Sequence, residues 1–137
     1  MKNHLAALAF LFITSAFAAG QSCDSLGFIP LQPRDFLEKF NNSSSALLID
    51  VREPFEYKKS RISGAINLPS SGKIDLASDT MNRAKPCFLY CTSGFRSDRV
   101  AGRLAAKGFV QIYSLQGGIS KWKKEGLPVS RKKVKNK

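Results

Sequence analysis

The chain has a single histidine, His4, and that residue sits in front of an apolar run from Leu5 to Ala19. Lys2 and His4 preceding such a run, with small residues near its end, predict a secretory signal peptide over residues 1–20. Ala16 and Ala18 suit a cut after Ala18, and Ala18 with Gly20 suits a cut after Gly20. The run is short for a membrane span and lacks a basic stop-transfer flank, so export is expected, to the periplasm in a bacterium. A lipid anchor on Cys23 is disfavoured, because Gly20, Gln21 and Ser22 offer no apolar residue before it. The mature chain is then without histidine, which excludes Ser-His-Asp and Cys-His nucleophile pairs and any histidine-bearing zinc site.

Cysteine is also scarce. Cys23, Cys87 and Cys91 form no Cys-x-x-Cys motif, so a thioredoxin-like redox site is excluded, and Cys87 and Cys91 stand a strand's length apart instead of at the spacing of a metal knuckle. No cofactor or metal is implied. Acidic residues are few, 10 against 22 Lys and Arg, and the formal charge of +12 points to an anionic partner or substrate. Much of the basic excess lies in the tail 131–137, which carries five basic residues and no acid and reads as solvated and disordered. Nucleic acid fits poorly, since no face interleaves aromatic and basic residues. An anionic membrane or envelope polymer suits the tail better.

What is present is enough for one domain, residues 21–130. After an irregular opening from Cys23, residues 33–40 read as a helix with Phe36, Leu37 and Phe40 on one face. Residues 46–51 are a continuous apolar run, the pattern of a strand buried on both faces, and imply a parallel sheet flanked by helices. A very short strand is expected at 65–67, a loop with a helical turn or two over 73–83, and strands at 87–90 and 109–114. A helix over 99–107 capped by Gly108 and a closing helix over 119–124, with Trp122 as core filler, complete the outline.

Chemistry concentrates at residues 91–97, CTSGFRS, where the strand 87–90 turns into a helix. Backbone N–H groups at such a junction converge unpaired, and the helix dipole adds partial positive charge, so a thiolate at Cys91 is stabilised. The loop is expected to run from Thr92 to Arg96, with Gly94 letting the backbone curl close and the Arg96 guanidinium closing one side. Asp50, Arg52, Glu53 and Glu56 follow the earlier strand, at the end where open α/β sheets place ligands. Asp50 and Glu53 read as an ion-pair and turn-capping cluster. Arg52 is open between helping to hold an anionic sulfur donor and pairing with a neighbouring carboxylate.

The loop CTSGFRS resembles the active loop of the rhodanese family of sulfurtransferases, and two further stretches agree with it. They are LIDVREPFEY over 48–57 followed by GAINLP over 64–69, and LQGGISKW over 115–122 followed by GLPV over 126–129. Ser60, Arg61 and Ser63 depart from the family's usual Gly, His and Pro, which leaves the local backbone there open. The resemblance implies a three-layer α/β/α fold around a mainly parallel sheet of about five strands. It further implies sulfur transfer through a persulfide on Cys91, with Thr92, Ser93, Gly94, Phe95 and Arg96 binding a small sulfur-containing anion such as thiosulfate. Arg52 joins this substrate-binding set. The acceptor would be cyanide, a thiol or a protein. Phosphatases with a related loop place one residue more between cysteine and arginine than the four found here, so sulfur is favoured over phosphoryl or oxyanion chemistry. A non-catalytic binding module of the envelope is the third reading. Cys91 is expected to stay unpaired, with Cys87 a core thiol and Cys23 free or paired at the surface.

Overall fold

The computed structural model describes residues 26–131. The signal segment 1–20, Cys23 and residues 132–137 of the basic tail lie outside them. Five strands, β1 (Ile29–Leu31), β2 (Leu47–Asp50), β3 (Ile66–Asn67), β4 (Cys87–Tyr90) and β5 (Ile112–Leu115), form one sheet in the order β1-β5-β4-β2-β3. Every neighbouring pair is parallel. Parallel neighbours require crossovers, and helices α1 (Pro33–Asn41), α2 (Pro54–Lys59), α3 (Lys73–Ser78) and α4 (Phe95–Ala106) provide them, while α5 (Gly118–Lys124) closes the chain against α1.

The central strand β4 explains the three layers. Its side chains alternate, so Cys87 and Leu89, with Cys91 beyond, join Ile74 of α3 and Val100, Ala101 and Leu104 of α4 on one face. Phe88 and Tyr90 join Phe36 of α1 and Ile119 and Trp122 of α5 on the other. Phe88 is gripped by the Phe36 edge at 5.2 Å and stacks on Tyr113 at 4.6 Å. Trp122 is core filler as expected, with its indole N–H donating to the Pro128 carbonyl at 3.0 Å. Fully burying a side chain of this size contributes roughly 1.5–3 kcal/mol. A strand with both faces buried is therefore the element around which both layers are fixed.

Four boundaries differ from the sequence reading. The opening segment holds β1, an edge strand of three residues that tolerates Pro30 because it pairs on one side only. Residues 54–59 form α2, which has no buried residue and hence no amphipathic pattern to reveal it. The last strand starts at Ile112 instead of Phe109, because Gly108 and Phe109 close α4 by donating to the Ala105 and Leu104 carbonyls. Finally, α4 begins at Phe95, so Arg96 projects from its first turn and the loop is shorter than Thr92 to Arg96.

Candidate active site

Cys91 follows the last residue of β4, at the carboxyl end of the central strand, where open α/β sheets present their ligands. The chain then turns sharply, because Gly94 at φ +103° serves as the N-cap of α4. The loop's carbonyls face away from the sulfur. The Ile119 N–H donates to the Cys91 carbonyl at 2.9 Å and the Ser120 N–H to the Thr92 carbonyl at 3.1 Å, so the first turn of α5 holds the outer side of the loop. With those carbonyls engaged, the Gly94 N–H points inward and donates to Cys91 Sγ at 3.1 Å.

Two more groups reach the sulfur. The Arg96 guanidinium lies close enough for its charge to be favoured first by Glu56 and also by Cys91. Ser97 Oγ is 3.8 Å from Sγ and 2.9 Å from the Gly94 carbonyl, so its one hydroxyl proton has two acceptors within reach. Behind it, Ser114 Oγ is 3.1 Å from Ser97 Oγ and donates to Asp98 Oδ1 at 2.6 Å. Ser97 and Ser114 are both fully buried.

The two buried thiols make an internal comparison. Cys87, on the same face, has its S–H toward the Lys85 carbonyl at 3.5 Å, and burial pushes its pKa up to about 11. That is the environment of an inert core thiol. Cys91 is 1% exposed yet accepts from the Gly94 N–H at 3.1 Å and has the Ser97 hydroxyl 3.8 Å from its sulfur. No disulfide joins Cys87 and Cys91.

Glu56, placed by the sequence at the ligand end of the sheet but given no role there, is a partner of the loop. Its Oε2 accepts from Arg96 Nη1 at 2.8 Å, and its Oε1 accepts from Arg96 Nη2 at 2.9 Å and from the Thr92 hydroxyl at 2.7 Å. Oε2 also accepts from the Glu53 N–H at 3.1 Å, half of a capping box that starts α2. The available signal was Glu53-Pro54-Phe55-Glu56 itself, an acid, proline and acid at helix-start spacing. This carboxylate orients Arg96, and Arg96, Thr92 and the Glu53 backbone pull its pKa down to about 2 against the effect of burial.

Because the folded pKa lies below the ordinary glutamate value near ~4.3, ionised Glu56 contributes stability that is complete above that value. It is lost as pH falls through about 2. Urea midpoints measured between pH 2 and 6 are expected to fall more steeply in the native chain than in Glu56→Gln. Parallel curves for the two proteins would remove Glu56 from this role.

Arg52 takes the pairing alternative. It is 4% exposed, its Nε and Nη2 bind Asp50 at 2.6–3.1 Å, and Nη2 also donates to the Ser60 carbonyl at 2.6 Å. Burial opposes its charge, but the Asp50 contact outweighs that and raises its pKa. These bonds tie it to the β2 end, and Asn67 and the Tyr90 hydroxyl add bonds to the same cluster. Arg52 is thus held in an ion pair with Asp50 at the end of β2. Ser60 supplies both a carbonyl for Arg52 and a hydroxyl for Lys123 at 2.7 Å, while Arg61 and Ser130 exchange backbone bonds. Of the loop residues, Ser93 is exposed and Phe95 is 69% exposed, so the Phe95 ring faces solvent.

The sequence profile of the Rhodanese-like domain matches residues 32–125, which include the whole of this site. The chain belongs to the rhodanese family. Relatives in this family include the Bacillus subtilis protein YqhL, uncharacterised, which is 43% identical over 77 residues, 56% of this chain and 60% of that one. The thiosulfate sulfurtransferase GlpE of Coxiella burnetii is 36% identical over 77 residues, 56% of this chain and 71% of GlpE. The crystal structure of a rhodanese-related protein from Thermoplasma volcanium has a TM-score of 0.67 and 28% identity, covering 77% of this chain and 100% of that one. The chain thus spans about three fifths of the length of YqhL. The rhodanese fold follows from these matches, with the Cys91 loop at the carboxyl end of the central strand.

Proposed function

We propose that the protein moves a sulfane sulfur from an anionic donor such as thiosulfate to a thiophilic acceptor, cyanide or a thiol, through a persulfide on Cys91. The observation that carries this reading is the contrast between the two buried thiols. Only Cys91 is met by donors, from Gly94, Ser97 and Arg96. In the first step the Cys91 thiolate attacks the outer sulfur of thiosulfate. The new S–S bond forms as the donor's own S–S bond breaks, and sulfite leaves with the electron pair. The persulfide's negative charge then rests on the terminal sulfur, next to the loop N–H groups and Arg96. In the second step the acceptor takes that sulfur, and the bonding pair returns to Cys91 Sγ. No oxidant or reductant is consumed.

Intact-mass measurement after incubation with thiosulfate is expected to show one added sulfur atom on Cys91 and one equivalent of sulfite released. Hydrolysis of an aryl phosphate without sulfur uptake would replace this reading with the phosphatase one.

A further inference from the structure

Beside the loop a cavity of about 170 Å³ is lined by Ser70, Arg96, Arg99 and Arg103. The three arginines are spaced to share one face of α4, and a helix that stacks three like charges needs countercharges. Two are supplied. Glu56 takes Arg96, and Asp75 of α3 takes Arg103, with Nε at 3.0 Å and Nη2 at 3.2 Å from its carboxylate oxygens. Arg99 has no carboxylate at ion-pair distance among the described residues, and its guanidinium lies 5.8 Å from the centroid of the exposed Phe95 ring. The cavity therefore carries three guanidinium groups against two carboxylates. Its uncompensated charge belongs to the one arginine whose planar fork is uncommitted, the geometry suited to a carboxylate or sulfonate.

Position decides which substrate this charge serves. Arg96 is the shared wall, lining the cavity and donating to Thr92 Oγ1 at 3.0 Å in the loop beside Cys91. From there Arg99, the uncommitted arginine, lies about one helical turn away, roughly 4.5 Å along the axis. Thiosulfate has its charge one bond from the sulfur it gives up and cannot extend along that distance, and cyanide has no second group at all. A molecule that reacts at Cys91 and also fills the cavity must carry its anion several bonds from its sulfur.

We propose that the cavity binds the distal anionic group of the sulfur acceptor, a small thiol bearing a sulfonate or carboxylate a few bonds from its –SH. This rests on the sulfur-transfer reading above. The acceptor's thiolate attacks the terminal sulfur of the Cys91 persulfide, and the S–S bond at Cys91 breaks with its electron pair returning to Sγ. The acceptor leaves as its own persulfide anion, and the Cys91 thiolate is regenerated with no proton taken up or released in the step. The basic cavity steers and orients the acceptor while Arg96 spans both sites.

The test compares 2-mercaptoethanesulfonate with 2-mercaptoethanol, thiols of equal length that differ in the terminal charge. Protein loaded with thiosulfate and desalted is mixed with each thiol, and loss of the added sulfur is followed by intact mass, with rates corrected for thiolate concentration. The native chain is expected to prefer the sulfonate by about tenfold at low salt, less at high salt. Arg99→Gln is expected to bring that ratio close to one. A native ratio near one, or a ratio unchanged in Arg99→Gln, overturns the proposal. A second measurement separates it from the underlying reading: ethanesulfonate, which has no thiol, is titrated against the unloaded native chain and Arg99→Gln by NMR of the arginine side chains. If no persulfide ever forms, binding that is lost in Arg99→Gln keeps the anion site and discards sulfur transfer. Equal binding to both proteins discards the site itself.

Discussion

Cys91→Ser is expected to abolish sulfur uptake completely while leaving the fold in place. A hydroxyl is close in size to the thiol and can still accept from the Gly94 N–H that donates to Sγ at 3.1 Å, so stability should change by no more than about 1 kcal/mol. It cannot form a persulfide, and no other group in the loop can replace it as sulfur carrier. Cys87→Ala is the matching control. Cys87 directs its S–H to the Lys85 carbonyl, and its loss should cost about 1 kcal/mol of core packing while leaving sulfur uptake unchanged. Intact mass and sulfite release, read on both variants, check the pair. Uptake of one sulfur by Cys91→Ser would move the carrier to another cysteine and sink the mechanism.

The second large effect is expected at a residue that bears no functional group. A methyl group on Gly118 would lie 2.5 Å from the Cys91 carbonyl oxygen and 2.4 Å from that of Thr92. Both contacts are backbone atoms, which have no rotamer to yield. Gly118 also sits at φ +57°, a conformation that costs an L side chain roughly 1–2 kcal/mol. Gly118→Ala must therefore push α5 away from the loop, breaking the bonds from the Ile119 and Ser120 N–H groups that hold the loop's carbonyls outward. Overpacking adds about 1–3 kcal/mol to the strain. A displacement near 1 Å at a reacting atom slows chemistry on the order of 100-fold. The variant is expected to lower the urea midpoint and to slow persulfide formation by that amount, measured separately so that the folded fraction is known. Unimpaired loading in a folded Gly118→Ala would mean that α5 does not set the loop's geometry.

Both effects show where the site's information resides. Cys91, Gly94 and Arg96 were legible because the strand, turn and helix that present them are consecutive in the chain, and apolar runs with a glycine at the turn encode such a unit locally. The parallel α/β/α plan was legible for the same reason, since the runs at β2 and β4 are apolar without alternation and so must be buried on both faces. The helix α2 was not, because it has no apolar stripe and its start is a capping box of charged residues.

What only the tertiary structure decided are the partners across the sheet's open end. Glu56 meets Thr92 and Arg96 from 36 and 40 residues away, and Gly118 reaches the loop from the helix after β5. The gathering of Ser70 with the arginines of α4 belongs to the same class. Local propensity and periodicity carry no record of such pairings, because they depend on the order in which parallel strands lie side by side. In this chain that order sets β2 and β5 on either side of β4 and so brings both neighbours' following segments to Cys91.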